Sequence, residues 1–192
     1  MRRILSIGFA FLAVSALFAD SIGAATLETL SLERLVLEST AIVRARASEP
    51  RAMRRGPVIY TVYSLSPSEQ LKGASIGAPT AAVPGGRIGD AEQHFAGAPE
   101  LVPGREYLLF LWTGPSGLTQ ITGLSQGLFE LQTDSEGEWI AVRLLDPELR
   151  PSAPAPSVQT ATTAGPVRRS YRELREEILA ILSRSASEAP VR

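Results

Sequence analysis

Apolar positions along the chain recur in two rhythms, one of strands and one of helices. Between Ala41 and Ala47, residues Val43, Ala45 and Ala47 alternate with Arg44 and Arg46, the period of a strand with one buried face. Val58 to Leu65 is dense in β-branched and aromatic residues and predicts a second strand, antiparallel to the first, closed by Leu71-Lys72-Gly73. Thr80 to Val83 reads as a weaker strand before the turn signal Pro84-Gly85-Gly86. Glu106 to Trp112 is the most apolar run after the leader and predicts the central strand. Further strands are expected over 117–122 and 127–132, and over 139–144 after a turn at Asp134-Ser135-Glu136-Gly137. Six or seven strands separated by turns predict a mainly β fold, a small antiparallel barrel or sandwich.

The helical rhythm occurs twice. Leu32, Leu35 and Val36 form one short stripe, predicting an N-terminal helix that covers an end of the sheet. Leu174, Ile178, Ile181 and Leu182 share a face over 170–184, where Ser170 and Glu173 have the spacing of a capping box. An isolated helix of this length is marginal in water, so this amphipathic helix is expected to dock on the β-domain, the alternative being a groove on another protein. Two stretches lack a period. The segment from Glu49-Pro50 to Gly56-Pro57, with Arg51, Arg54 and Arg55, reads as a solvated turn, and 85–103 reads as one long loop pinned by Phe95.

The ends of the chain have a different character. Arg2 and Arg3 precede an apolar run from Ile4 to Ala19, and Gly23-Ala24-Ala25 follows as a small-residue cleavage signal, with Ala19 an earlier option. The run is too short for a span of about 20 apolar residues, so it reads as a signal peptide. The expected division is therefore a leader at 1–25, a β-barrel domain at 26–145, a Pro/Ala/Thr-rich linker at 146–169 and the C-terminal helix at 170–184. The expected location is periplasmic or extracellular, without stable membrane insertion once the leader is removed.

Composition removes whole classes of function. Hydrophobic residues at 44% and charged residues at 20% suit a folded domain. The net charge of -1 argues against nucleic acid as a partner. With no Cys and a single His, thiolate catalysis, disulfides and cysteine zinc sites are excluded, and neither a metal nor another cofactor is expected. Arginine supplies eighteen of the nineteen basic residues, Lys72 being the exception, which reads as the codon bias of a GC-rich bacterium.

Little reactive chemistry remains. Gly123-Leu124-Ser125-Gln126-Gly127 matches G-x-S-x-G, the turn that presents a serine nucleophile between a strand and a helix. Here an apparent strand follows the serine, and His94 precedes it, the reverse of the hydrolase order. A glycine-flanked turn is the expected reading, with a serine hydrolase as the alternative. Asp90, Glu92 and His94 alternate in one stretch and read as a solvated loop face rather than a metal site. Aromatic side chains can form platforms for carbohydrate or peptide, and most are expected in the core. His94, Phe95, Tyr107 and Trp112 are carried as the ligand-binding candidates, with no catalytic residue expected.

Ala41-Ile42-Val43-Arg44-Ala45-Arg46, Leu71-Lys72-Gly73 and the run Val102 to Leu111 together give a pattern similar to exported bacterial proteins whose core resembles the netrin-like, OB-type barrel of tissue inhibitors of metalloproteinases. The resemblance covers roughly Ser31 to Leu144 and implies a closed barrel of five or more strands with flanking helices. Those inhibitors act through an N-terminal cysteine, which this chain lacks, so none of their functional residues carries over. The expectation is an exported, non-enzymatic barrel module that binds a protein or envelope component.

Overall fold

The computed structural model describes residues 30–74, 79–143 and 167–188. The leader and most of the Pro-rich segment lie outside these residues.

Five strands close a barrel. β1 (Ala41–Ala47) lies antiparallel between β3 (Val58–Lys72) and β7 (Glu106–Thr113). β4 (Thr80–Pro84) continues from β3, and β8 (Thr119–Ile121) joins β4 in parallel and β7 antiparallel, so the ring returns to β1. Counting only barrel strands in chain order, neighbours run first, second, third, fifth, fourth and back to first. This is the Greek-key order of an OB-type barrel, so the expected fold is the observed one.

Closure requires strands to coil, and β1 against β3 shows how it is done. The register slips between Ile42 and Val43 and again between Arg44 and Ala45, leaving Leu71 and Ser68 as extra residues on β3. Such bulges increase local twist and turn a strand around a barrel corner. The interior is then filled from alternating positions: Val43, Ala45 and Ala47 of β1, Tyr63 and Leu65 of β3, and Tyr107, Leu109 and Leu111 of β7 are all buried together.

The same alternation gives the sheet a second apolar face. Ile42, Leu108 and Phe110 point outward, and the sheet extends beyond the barrel through β9 (Leu128–Thr133), β10 (Trp139–Arg143) and β11 (Val167–Ser170). Helices α1 (Leu32–Glu38) and α2 (Tyr171–Glu188) cover this face with Leu35, Val36, Leu174, Ile178 and Ile181. The apolar stripe of α2 is thus spent on its own sheet, as the docking expectation required, and is not free for a groove on another protein. The helix begins at Tyr171 and runs four residues past the expected end at 184. Residues 167–169, expected in the linker, belong to β11, which pairs antiparallel with β10.

Two further expectations are corrected. Arg51 to Arg55 is not a turn but a strand, β2, fully exposed and paired with the start of β3 through a two-residue hairpin at Gly56-Pro57. Gly56 at φ 57° suits the first central position of such a turn. The supposed long loop contains a small hairpin of β5 (Gly86–Ile88) and β6 (Ala91–Gln93). Gln93 ties it to the β3 start, accepting from Ile59 N at 2.7 Å and donating to the Pro57 carbonyl at 2.8 Å.

Candidate functional site

The candidate residues separate by position. His94 and Phe95 follow β6 on the surface, with Phe95 37% exposed and lying over Gly85. Glu92 pairs with Arg87 across the small hairpin at 2.5 Å, and no cluster able to hold a metal ion is present among the described residues.

Tyr107 belongs to the barrel interior. It is 2% exposed, and its hydroxyl accepts a hydrogen bond from Val102 N at 2.8 Å. Tyr63 does the same for Leu101 N at 3.4 Å. Leu101, itself buried, plugs this end of the barrel, and the two phenols supply the partners that the plugging backbone would otherwise lack. Burial raises both phenol pKa values above the ordinary tyrosine value, countered in part by these backbone hydrogen bonds. Tyr107 therefore offers no face to a ligand.

Trp112 has a different setting. Leu111 and Ile121 pair across β7 and β8 with both side chains inside the barrel. The next pair, Trp112 and Gln120, must therefore face outward on the same side. The indole is 42% exposed. It rests on Gly114, where a methyl group would fall 2.7 Å from its Cη2 atom, so the ring is seated against backbone.

Around it lies an open cleft of about 460 Å³ bounded by Glu38 at the end of α1, by Gln120 and Thr122, and by the Gly123-Leu124 corner. Thr122 is held by Ser39, hydroxyl to hydroxyl at 2.9 Å, which joins the cleft floor to the end of α1. Arg34 Nε donates to Glu38 Oε1 at 3.0 Å, fixing that carboxylate. The Trp112 indole N–H, the Gln120 carboxamide and Glu38 Oε2 make no hydrogen bond among the described residues. Sequence reading singled out Trp112 and missed Gln120, Glu38 and Thr122, whose relation to the indole depends on hairpin register and on the docking of α1.

The Gly123-Leu124-Ser125-Gln126-Gly127 motif forms a 3₁₀ turn, Leu124–Gly127, between β8 and β9. Its job in the fold is to split one strand path into two: β8 pairs with the C-terminal part of β7 and β9 with the N-terminal part. Each glycine has a local reason. Gly123 takes φ 66°, and a methyl group at Gly127 would meet the Thr122 carbonyl oxygen at a forbidding separation. The residue forced into the left-handed region is Leu124, at φ 57°, and not the serine. Ser125 N donates to the Gly97 carbonyl at 3.2 Å, which brings the segment after His94 against this turn. The Ser125 hydroxyl has no hydrogen-bond partner among the described residues.

A second polar cluster lies on the helix-covered face. Arg44 donates from Nε to Glu106 Oε1 at 2.6 Å, and Ser68 donates to the same oxygen at 2.9 Å. The Arg44 guanidinium lies 4.3 Å from the Trp139 ring and 5.1 Å from that of Tyr171. Tyr171 and Arg175 in turn both donate to Glu69, each at 2.6 Å. Burial alone would raise the Glu106 carboxyl, yet hydrogen bonds from Arg44 and Ser68 and the Arg44 charge hold it below the usual carboxylate value. Glu69 is held low against burial in the same way by Tyr171 and Arg175. Every charge here has a partner within the fold, so the cluster fastens α2 to the sheet and leaves nothing directed at a ligand.

Comparison of the chain with protein-family models, with curated proteins and with solved structures finds no match. The functional reading therefore rests on the site itself.

Proposed function

We propose that the mature chain is an exported, non-enzymatic binding module that recognises a protein or envelope component at the Trp112 end of its barrel. One observation carries this reading: a half-exposed indole lines a cleft with the Gln120 carboxamide and Glu38 Oε2, and none of these groups has a hydrogen-bond partner among the described residues, whereas the larger polar cluster at Arg44 is internally satisfied. A concave cleft that sets an aromatic surface among a few polar groups is the usual form of a small-ligand site. Export rests on the basic start, apolar run and small-residue cleavage signal at 1–25. The strand order is that of an OB-type barrel, the fold implied by the resemblance to netrin-like exported proteins, and a fold alone carries no activity with it.

A second reading, serine hydrolysis at Ser125, is favoured by one contact, the approach of the segment after His94 to the turn that bears the serine. Against it stand the antiparallel corner in place of a strand-to-helix elbow and the unpartnered serine hydroxyl. The two readings separate in one experiment. Immobilised mature protein is incubated with envelope extract, bound components are identified, and a fluorophosphonate probe is applied in parallel. The binding reading expects recovery that Trp112→Ala abolishes and Ser125→Ala preserves, with no labelling. Labelling of Ser125, together with recovery indifferent to Trp112, reverses the order.

A further inference from the structure

We infer that the ligand taken by the Trp112 cleft is a neutral sugar, stacked by one pyranose ring on the indole and hydrogen-bonded through its hydroxyls to Gln120 and Glu38. This rests on the binding-module reading and names the chemistry of the same site.

The geometry of the cleft excludes two common ways of holding a polypeptide. A strand can add only to an unpaired sheet edge, but β7 is paired with β1, β8 and β9, and β8 with both β4 and β7. An amphipathic helix needs a continuous apolar groove, yet Ile121 is 5% exposed and turned into the barrel, and Trp112 and Leu124 share the cleft with polar Glu38, Gln120 and Thr122.

What the cleft does present matches a sugar group by group. The C–H face of a pyranose is apolar and slightly positive and suits the negative face of an indole. Vicinal hydroxyls both donate and accept. Glu38 Oε2 accepts, the Gln120 carboxamide does both, and the indole N–H donates. The local charge selects further, because Glu38 is paired with Arg34 at 3.0 Å and no Lys or Arg is among the described residues that line the cleft, which favours a neutral over an anionic sugar. At about 460 Å³ the space falls within the roughly 300–1,000 Å³ of small-ligand sites. Seating on Gly114 orients the ring before binding, which lowers the ordering cost of association.

Gly114 supplies a variant that separates ring placement from ring removal. Its φ lies outside the left-handed region, so alanine is compatible with the backbone, but the added methyl group must displace the indole. It is a positioning residue for the stacking surface.

The test titrates the mature protein with cellohexaose, maltohexaose and N-acetylchitohexaose, all neutral, followed by calorimetry and by tryptophan fluorescence. At least one oligosaccharide is expected to bind and to perturb Trp112 emission, with affinity lowered about tenfold or more in Trp112→Ala and several-fold in Gln120→Ala and Gly114→Ala. Circular dichroism and urea midpoints check that each variant is folded. Binding that survives Trp112→Ala in a folded protein overturns the inference, as does failure of all three sugars to bind at millimolar concentration. If the sugars are silent while envelope extract still perturbs the cleft, the sugar assignment fails and the binding-module reading stands. Silence toward both removes both.

Discussion

Arg44 and Glu106 meet at 2.6 Å on neighbouring strands, with side chains only 17% and 9% exposed, and the Arg44 guanidinium continues into a stack between Trp139 and Tyr171. This pair couples the barrel to the helix-covered face, since β1 and β7 supply the charges and α2 supplies one of the covering rings. A carboxylate buried beside its guanidinium is costly to lose from one side only, because the remaining charge keeps its desolvation without its partner. Glu106→Gln is expected to lower unfolding free energy by roughly 2–4 kcal/mol, read from urea denaturation at neutral pH.

The same network sets the response to acid. Glu106 and Glu69 both titrate below the ordinary carboxylate value in the folded protein. Their contribution to stability is therefore complete above the unfolded pKa of about 4.3 and is lost as pH falls through the lower folded values. Urea midpoints are expected to be level from neutrality to about pH 5 and to fall below it. The fall should be shallower in Glu106→Gln, which has one such group fewer. An equal acid slope in both proteins would assign the effect to other carboxylates.

The corner at Gly127 predicts a sharp contrast between glycines. A methyl group there would overlap the Thr122 carbonyl oxygen, whereas one at Gly89 meets nothing within 4 Å and suffers only from its positive φ. Gly127→Ala is expected to cost more than about 3 kcal/mol or to prevent folding, and Gly89→Ala about 1 kcal/mol. Thermal and urea unfolding of the two variants check this. Equal costs would mean that the motif's second glycine is not required by the split between β8 and β9.

The phenol plug makes a local prediction. Tyr107→Phe leaves the Val102 amide without its partner at the barrel end, and about 1–2 kcal/mol of stability is expected to go with it. Hydrogen exchange at Val102 should accelerate, while ligand recognition at Trp112 is unchanged.

Much of this architecture is legible in the sequence wherever one face of a strand is dry. Ala41–Ala47 and Glu106–Thr113 announce themselves because their neighbours force alternation or continuous apolarity. Strand β2 does not, since all five of its residues are exposed and its pairing to β3 comes from a hairpin and backbone hydrogen bonds. Small β5 and β6 are hidden for the same reason. Ser68 and Glu69 both contribute to the outer network because Ser68 is an extra residue at a bulge, which strict period-two counting cannot anticipate. At the candidate site, Trp112 is visible as the aromatic end of an apolar run. Its partner Gln120 was within reach: counting outward from the Gly114 to Leu118 turn pairs Thr113 with Thr119 and then Trp112 with Gln120. Glu38 was not, because only the docking of α1 on the outer face brings it to the cleft.

The central claim, recognition at the Trp112 cleft, is tested most directly by mapping amide resonances of isotope-labelled protein spanning residues 26–192 as solubilised envelope material is added. The account predicts that shifts concentrate at Trp112, Gln120 and Thr122 to Leu124 and disappear in Trp112→Ala. Shifts confined to the His94–Phe95 surface or to the exposed arginines of β2, with the cleft unperturbed, would contradict it.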